Sequence, residues 1–242
     1  MDQRRAPLTR EGAVAAAIGL ADDEGIGALS MRSLATRLGV TPMALYKHVA
    51  DKGELLDGMV DAVVAGYVEP VTAPTPPGES APEDGWRAEM RARILAARAE
   101  LEAHPWLRRL IETRTTRTPH VLAHMDALAG VLISGGLSVD LAHHAMHALG
   151  HRIWGFSPEA FSEDDEGPAD AAAPAPADPA QQQALMQAMA LAYPNIVAIA
   201  AESAQRNPTG ACDEEFEFEF TLDLLLDAFA RLHQAGWSSP RR

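Results

Sequence analysis

Three neighbouring polar side chains, Tyr46, Lys47 and His48, could form hydrogen bonds and ionic contacts with an anionic polymer. A phenolic hydroxyl, an ammonium and an imidazole can all donate to phosphate oxygens or to the edges of bases. Just before them, Met43 and Ala44 offer apolar contact of the kind that suits a thymine methyl group. These residue types, in this order, favour contact with nucleic acid.

The same stretch carries the signals of two short helices joined by a glycine turn. Ser30 is a favourable N-cap for a helix that ends at Gly39. Thr41 is the N-cap of the second helix and Pro42 its first residue, where the missing N–H costs nothing. Both join the DNA-binding candidates, because a helix N-terminus attracts phosphate. Two such helices form a helix-turn-helix, whose second helix enters the major groove of DNA.

Each of the two helices also has an apolar face for packing. Leu34 and Ala35 would face inward from the first helix, and Leu45 and Val49 from the second. The opposite face of the second helix would then be free for DNA. The alternative is an ordinary αα-hairpin of a helical protein, in which Lys47 lies on a solvated face.

The net charge of −14 argues at first against a nucleic-acid partner, because phosphate binding favours a basic surface. The charge is unevenly distributed, however. Residues 1–50 carry six Lys and Arg against five Asp and Glu, a net charge of +1, so the rest of the chain carries −15. An acidic body with a near-neutral head can still present that head to DNA.

The composition indicates an all-α protein. Hydrophobic residues make up 47 % of the 242 residues and aromatic residues only 5 %, so alanine, leucine and valine must do most of the packing. Alanine is the strongest helix former, and the alternating patterns of strands are nearly absent. Cys212 alone cannot form an intramolecular disulfide. No signal peptide and no apolar run of about 18 residues is visible, so we expect a cytoplasmic protein with no membrane contact.

Start and stop signals predict about ten helices. The first ends at Gly25, and Asp51 with Glu54 three residues on resembles a capping box for the fourth. Segments 70–85 and 157–180 are expected to be loops, because they are rich in proline, and the second is also acidic. The remaining helices are predicted over 86–103, 106–113, 119–133, 138–154, 181–205 and 214–234.

The stretch ALSMRSLATRLGVTPMALYKHVADKGELLDGM resembles the N-terminal domain of the TetR family of bacterial transcriptional repressors. The small-residue turn, the Leu-Tyr-x-His-Val element and the Lys-x-x-Leu-Leu that follows are in register over residues 8–59. The resemblance implies a support helix over 31–38 and a recognition helix over 42–48. It also implies that Lys52 opens the fourth helix and contacts a phosphate, and we count Arg32 of the support helix with the DNA-binding residues.

The segments LEAHPWLRRLI and EEFEFEFTLDLLLDAFARL resemble the ligand-binding domain of the tetracycline-repressor branch of that family. The final helix of that branch commonly reads Phe-x-x-x-Leu-x-x-Leu-Leu-Asp-Gly-Leu, and Ala228-Phe229 stands here in place of Gly-Leu. The resemblance implies a homodimer in which the helix near 138–154 and the last helix form a four-helix bundle. The apolar stripe expected at this interface is Phe216, Phe220, Leu224, Leu225 and Phe229. Alternatively, the stripe packs only within its own subunit.

We expect a helix-turn-helix DNA-binding domain over residues 1–56 and a helical ligand-binding and dimerisation domain over residues 57–242. A pocket for an organic effector is expected between the helices of this larger domain. Thioethers, indoles and imidazoles there would suit a flat or amphipathic molecule. The candidates are His104, Trp106, Leu107, His124, Met125, Leu128, His147, Trp154, Met186 and Met189. Each of them could equally be a core residue.

Seven of the nine histidines fall between residues 104 and 151, and His143, His147 and His151 recur one helical turn apart. Imidazoles so spaced can share a tetrahedral metal ion. A histidine-dependent metalloenzyme in an all-α bundle is therefore one alternative function, although HExxH, GxSxG and phosphate-loop motifs are absent. A helical adaptor without DNA affinity is another, but it leaves the polar group at 46–48 unexplained.

Taken together, the patterns predict a dimeric repressor that binds a palindromic double-stranded DNA operator and is released by a small organic effector. No catalytic residue, metal ligand or cofactor is predicted.

Overall fold

The structure, a computed structural model, describes residues 7–67, 85–114, 118–154, 179–206 and 213–240. Every regular element in these ranges is helical, which confirms the all-α prediction. A short 3₁₀ turn, Ile26–Ala28, follows the first helix. The helices are α1 (Arg10–Glu24), α2 (Met31–Leu38), α3 (Pro42–Leu45), α4 (Lys52–Tyr67), α5 (Gly85–Ala103), α6 (Trp106–Thr113), α7 (Pro119–Ser134), α8 (Val139–Trp154), α9 (Pro179–Ala192), α10 (Pro194–Arg206) and α11 (Glu214–Gln234).

The first helices begin and end where their capping residues indicate. The hydroxyl of Thr9 accepts the N–H of Gly12 at 3.0 Å at the start of α1. Ser30 and Ser33 form a reciprocal capping box on α2. Gly39 ends α2 in the left-handed region, with φ 67°, which a side chain would disfavour. Local hydrogen bonds therefore determine these boundaries.

The fourth helix, α4, belongs to the head and to the body at once. Asp51 accepts the N–H of Glu54 at 2.8 Å, and Glu54 in turn accepts the N–H of Ala50 at 2.6 Å. The helix then continues without a break to Tyr67, across the expected domain boundary after residue 56. Leu55 and Met59 on this helix are fully buried. The expected boundary therefore lies within one continuous helix.

The described residues fall into two compact units, Met1–Gly155 with Leu222–Arg242, and Phe156–Thr221. In the first unit, α5, α7 and α8 contribute fully buried Met90, Ile94, Leu132 and Leu141. Burying an aliphatic side chain of this size contributes roughly 1.5–3 kcal/mol. The second unit contains α9 and α10.

The predicted single helix over 181–205 is wrong, because α9 ends at Ala192 and α10 begins at Pro194. Proline lacks an N–H donor and clashes with the preceding turn, and it disfavours helical geometry at the residue before it, here Tyr193. The described residues accordingly contain eleven α-helices rather than about ten.

The two predicted loops fall almost entirely outside the described residues. Of 70–85 the structure describes Gly85, which begins α5. Of 157–180 it describes Pro179 and Ala180, which begin α9.

Within the described ranges no single helix is long and apolar enough to cross a membrane. Two segments on either side of a bend, Gln183–Ala192 and Pro194–Glu202, meet that criterion together by length and composition alone.

Gly135, which ends α7, lies directly against Trp86 of α5. A Cβ atom at Gly135 would lie 2.5 Å from both Cβ and Cγ of Trp86, whose side chain is buried. Overpacking of this kind costs about 1–3 kcal/mol. We therefore expect Gly135→Ala to lower the free energy of unfolding by about that amount, as measured by urea denaturation followed by tryptophan fluorescence.

Gly130, on the same helix, supplies the matched control. A Cβ atom there meets nothing within 4 Å. Gly130→Ala should therefore raise the free energy of unfolding by about 1 kcal/mol, since alanine is the better helix former. Similar losses of stability in the two variants would show that the contact with Trp86 is not the cause.

Candidate nucleic-acid interface

The predicted recognition helix over 42–48 is regular α-helix only as far as Leu45. Beyond it the N–H of Lys47 bonds to the carbonyl of Ala44 at 3.3 Å, and the N–H of His48 to that of Leu45 at 2.8 Å. These bonds span three residues, so the segment tightens into a 3₁₀-like turn. The turn carries the polar side chains at 46–48 that the sequence singled out.

The two faces of this segment differ sharply in exposure. Leu45 and Val49 are 0 % and 1 % exposed, as the apolar pattern predicted. On the other face Met43 is 72 % and Tyr46 45 % exposed, and Lys47 is exposed as well. The inner face anchors the segment in the head, and the outer face presents large side chains to solvent.

The other predicted contacts within the segment are placed around this outer face. Thr41 and Pro42 are exposed, and the hydroxyl of Thr41 accepts the N–H of Ala44 at 3.3 Å as the N-cap of α3. Ala44 and His48 are half-buried. The Thr41 hydroxyl therefore holds the helix start in place.

Arg32 and Lys52 lie on either side of the recognition segment in the chain. Arg32 is exposed on α2. The ammonium group of Lys52 donates to the carbonyl of Leu29 at 2.5 Å. The resemblance implied a phosphate contact for Lys52, and it did not indicate the hydrogen bond to Leu29. An ammonium group has three donors, which leaves two for other acceptors.

Glu54 and Arg10 position the recognition segment, and the sequence did not identify this pair. One oxygen of Glu54 accepts from Ala50 just after the segment, and the other pairs with Arg10 of α1 at 3.3 Å. The backbone hydrogen bond from Ala50, followed by that from Arg10, lowers the pKa of Glu54. The capping-box pattern at Asp51 and Glu54 indicated the hydrogen bonds at the start of α4. No pattern in the sequence indicated that Arg10 of α1 would pair with Glu54.

Three of the pocket candidates lie where α5 meets α6. The Nδ1 atom of His104 lies 2.7 Å from Oδ1 of Asp22, and Nε1 of Trp106 donates to the same oxygen at 2.6 Å. Leu107 is fully buried. These polar groups therefore contact α1 of the head, and Leu107 is a core residue.

The remaining candidates are spread over three helices and both units. On α7, His124 is buried, Leu128 is half-buried and Met125 is 41 % exposed. His147 is exposed on α8, and Met189 is half-buried on α9. The side chains of Trp154 and Met186 lie outside the described residues. A shared pocket for the ten candidates therefore stays a prediction.

A small cavity of about 40 Å³ lies between α4, α6 and α7. The carboxylate of Asp57 pairs there with Arg114, and their hydrogen bond raises the pKa of Arg114. None of the ten candidates is among the residues that line it. Its lining residues are Asp57, Val60, Leu110, Ile111, Arg114, Thr118 and Val121.

Beside this cavity, α4 makes a second polar contact with the body. The carboxylate of Asp61 lies 2.7 Å from Nδ1 of His120 and accepts the backbone N–H of the same residue at 3.0 Å. Burial acts to raise the pKa of Asp61, but the surrounding polar groups, among them the ring and backbone N–H of His120, outweigh it and lower that pKa. Two carboxylates of α4 are thus held by donors of the body.

The histidine face of α8 is exposed. The rings of His143 and His147 lie 4.7 Å apart between centroids. Within the described part of the chain, no group of three or more histidine, cysteine, aspartate or glutamate residues could hold a metal ion. The side chain of His151 lies outside that part.

The last helix, α11, has two apolar stripes where the sequence predicted one. Phe218, Leu222, Leu226 and Phe229 are buried. A second stripe is exposed: Phe216, Phe220 and Leu224 are 58 %, 50 % and 49 % exposed, and the rings of Phe216 and Phe220 stack. The structure therefore corrects the predicted grouping, because Phe229 lies with the buried residues and Leu225 is half-buried between the two stripes.

Comparison with known proteins agrees with this architecture. Residues 13–59 match the family described as bacterial regulatory proteins, tetR family, and residues 77–232 match the tetracyclin repressor-like C-terminal domain. The chain belongs to the TetR family. Both parts of the predicted resemblance are confirmed, and the metalloenzyme alternative receives no support.

Relatives and solved structures extend the likeness over most of the chain. The transcriptional repressor DrrR1 of Streptomyces coeruleorubidus is 36 % identical over 131 residues, which cover 54 % of this chain and about half, 46 %, of DrrR1. The class C tetracycline repressor protein of Escherichia coli is 30 % identical over 68 % of this chain and 69 % of its own length. Apo ActR of Streptomyces coelicolor matches with a TM-score of 0.67 at 27 % identity, over 96 % of this chain and 99 % of that one.

The buried His124 predicts how the stability of this TetR-family protein depends on pH. Burial, and then the charge of Arg93, lowers the pKa of His124 from 6.5 to about 4. Between these values the unfolded chain binds a proton that the folded chain excludes, so stability should fall as the pH drops from about 6.5 towards 4. The loss from this residue should reach up to about 3 kcal/mol.

Urea denaturation at a series of pH values measures this dependence. In His124→Leu the loss between neutral and acidic pH should shrink by the contribution of that one histidine. The control, Leu128→Ala, shortens a half-buried side chain one turn further along α7 without removing a titratable group, so it should lower stability equally at every pH. An unaltered profile in His124→Leu would mean that His124 does not resist protonation in the folded protein.

Proposed function

We propose that the protein is a dimeric, ligand-responsive transcriptional repressor whose head, α1 to α3 with the start of α4, binds operator DNA. One observation carries this proposal. Met43 and Tyr46 stand exposed beside Lys47 on the outer face of a helix-turn-helix segment whose inner face is buried. Side chains this exposed gain little from burial, and they match the chemistry of a major groove. Membership of the TetR family supports the same function.

The proposed DNA contacts divide into two kinds. Lys47, with the other polar side chains of the head, would bind phosphates and position the head. Met43 and Ala44 would contact bases, with thymine methyl groups as the favoured partners. The DNA-binding residues we propose are Arg32, Thr41, Pro42, Met43, Ala44, Tyr46, Lys47, His48 and Lys52.

We propose a twofold homodimer, because one head reaches only one half of a palindromic operator. The exposed stripe of α11 supports this proposal. An isolated subunit would leave Phe216, Phe220 and Leu224 about half exposed at four-residue spacing. A second copy that brings α8 and α11 against the same helices would cover this stripe.

We propose that a small organic molecule binds the larger domain, residues 57–242, and releases the operator. The related ActR has been crystallised with actinorhodin and with (S)-DNPA, which supports an organic effector. The effector would favour a body conformation in which the two heads no longer match the operator. The shift would reach the head, residues 1–56, through α4, whose carboxylates at Asp57 and Asp61 contact the body. We propose a cytoplasmic location and no catalytic role.

Selection of DNA from a random pool by the purified protein tests this function directly. We expect a palindrome whose half-sites are about one DNA turn apart. Lys47→Ala should then weaken binding to all sequences and reduce the salt dependence by about one phosphate contact. Met43→Ala should change the base preference at one position of each half-site, as measured by repeating the selection.

The control for both variants is Arg98→Ala, which removes a positive charge from α5 in the body. Its affinity and salt dependence should remain those of the wild type. If neither Lys47→Ala nor Met43→Ala changed DNA binding, the recognition segment would be misplaced. Absence of any enriched sequence, even at low salt, would contradict the function itself.

The dimer proposal has its own test in Leu224→Glu. A carboxylate within the exposed stripe would have to be buried unpaired on dimerisation, which costs several kcal/mol. The sedimentation equilibrium of the variant should therefore shift towards monomer, and operator affinity should fall with it. Leu122→Glu, at a 52 % exposed position on α7, is the control and should remain dimeric. A dimeric Leu224→Glu would place the interface elsewhere.

A further inference from the structure

One carboxylate oxygen near the end of α1 joins the head to the body. Oδ1 of Asp22 accepts the indole N–H of Trp106 at 2.6 Å and lies 2.7 Å from Nδ1 of His104. The two partners flank Pro105, where α5 ends and α6 begins. A residue of the DNA-binding head therefore contacts the body more than eighty positions later in the chain.

The surroundings of this contact make it depend on orientation. Trp106 is 5 % exposed, and the side chains of His104 and Asp22 are 20 % and 28 % exposed. The two rings lie 5.5 Å apart, which fixes the positions of both donors. Hydrogen bonds to a charged acceptor are stronger than neutral ones, and partial burial reduces their screening by solvent. Oδ1 of Asp22 can accept from both donors only while α1 stays in this position against the body.

The contact is a second point of attachment, separate from α4. The carboxylates of Asp57 and Asp61 hold α4 to Arg114 and His120 of the body. A head attached through a single helix could still turn about that helix. Attachment at a second point, on α1, removes this freedom.

The neighbouring carboxylate of Asp23 has a different partner. It pairs with Arg37 of α2 at 2.5 Å, within the head itself. Adjacent aspartates thus separate two roles: Asp23 connects two helices of the head, and Asp22 connects the head to the body.

We propose that Asp22 is a positioning residue that fixes the orientation of the head on the body and thereby sets the half-site spacing that the dimer accepts. It does so without contacting DNA, by holding α1 to the turn between α5 and α6. In a twofold dimer each subunit would make this contact between its own head and body. The contact would therefore restrain both heads and, with them, the distance between the two recognition segments. This inference rests on the proposed function of the chain as a dimeric operator-binding protein.

The test uses the operator recovered by selection, together with two kinds of altered operator. One kind has the spacing between half-sites changed by one base pair, and the other carries one substituted base within each half-site. The dissociation constants give a spacing penalty and a base penalty for each protein. In Asp22→Ala we expect the spacing penalty to shrink by about tenfold, which corresponds to about 1.4 kcal/mol and is of the size expected for a hydrogen bond to a charged group. The base penalty should stay unchanged.

Two further variants keep the result interpretable. Asp23→Ala, the matched control, loses the neighbouring carboxylate and should keep the spacing penalty of the wild type. Trp106→Phe removes one of the two donors and retains an aromatic ring in the buried position, so its spacing penalty should also shrink. It tests the same contact if Asp22→Ala yields too little folded protein.

Unchanged spacing penalties in folded Asp22→Ala and Trp106→Phe would overturn the inference, and so would an equal loss of spacing and base penalties. In either case the wild type would still select an operator, so the proposed function would stand. A wild-type protein that selected no operator would overturn the proposed function and this inference with it.

Discussion

Burial of one face of α4 is the constraint on which the rest of the structure depends. Leu55 and Met59 are fully buried, and Val60, Val63 and Val64 continue the buried face towards the body. A helix buried along its length cannot bend at the domain boundary without exposing these side chains. The head is therefore joined to the body by a continuous helix rather than by a linker.

Polar contacts follow a consistent pattern around this helix. The carboxylates are those of Asp22 on α1 and of Asp57 and Asp61 on α4. Their donors come from α6 and α7 of the body or from the residues just outside these helices. The body of an acidic chain thus directs some of its few cationic and polar donors to α1 and α4. Since each contact is partly buried and depends on direction, the set can hold one arrangement of head and body in preference to others.

Exposed apolar side chains mark the surfaces on which the proposed function depends. Met43 projects from the recognition segment, and Phe216, Phe220 and Leu224 follow one stripe of α11. Single exposed apolar residues are ordinary on protein surfaces, but a stripe at helical spacing is a candidate for association. The net charge of −14 does not argue against DNA contact, because residues 1–50 have a net charge of +1 and the rest of the chain carries the negative charge.

The sequence by itself determined the elements whose hydrogen bonds are local. Thr9, Ser30 and Thr41 each cap a helix by accepting the N–H of the residue three positions later, and Pro194 begins a new helix because it cannot continue the one before it. The spacing of apolar residues also predicted which face of the recognition segment is buried, since only one of its two faces is apolar. On α11 spacing could not decide, because two stripes are apolar and only packing selects the buried one. The tertiary structure alone placed Asp22 beside Trp106 and Asp61 beside His120, because these contacts join residues far apart in the chain and depend on how whole helices pack.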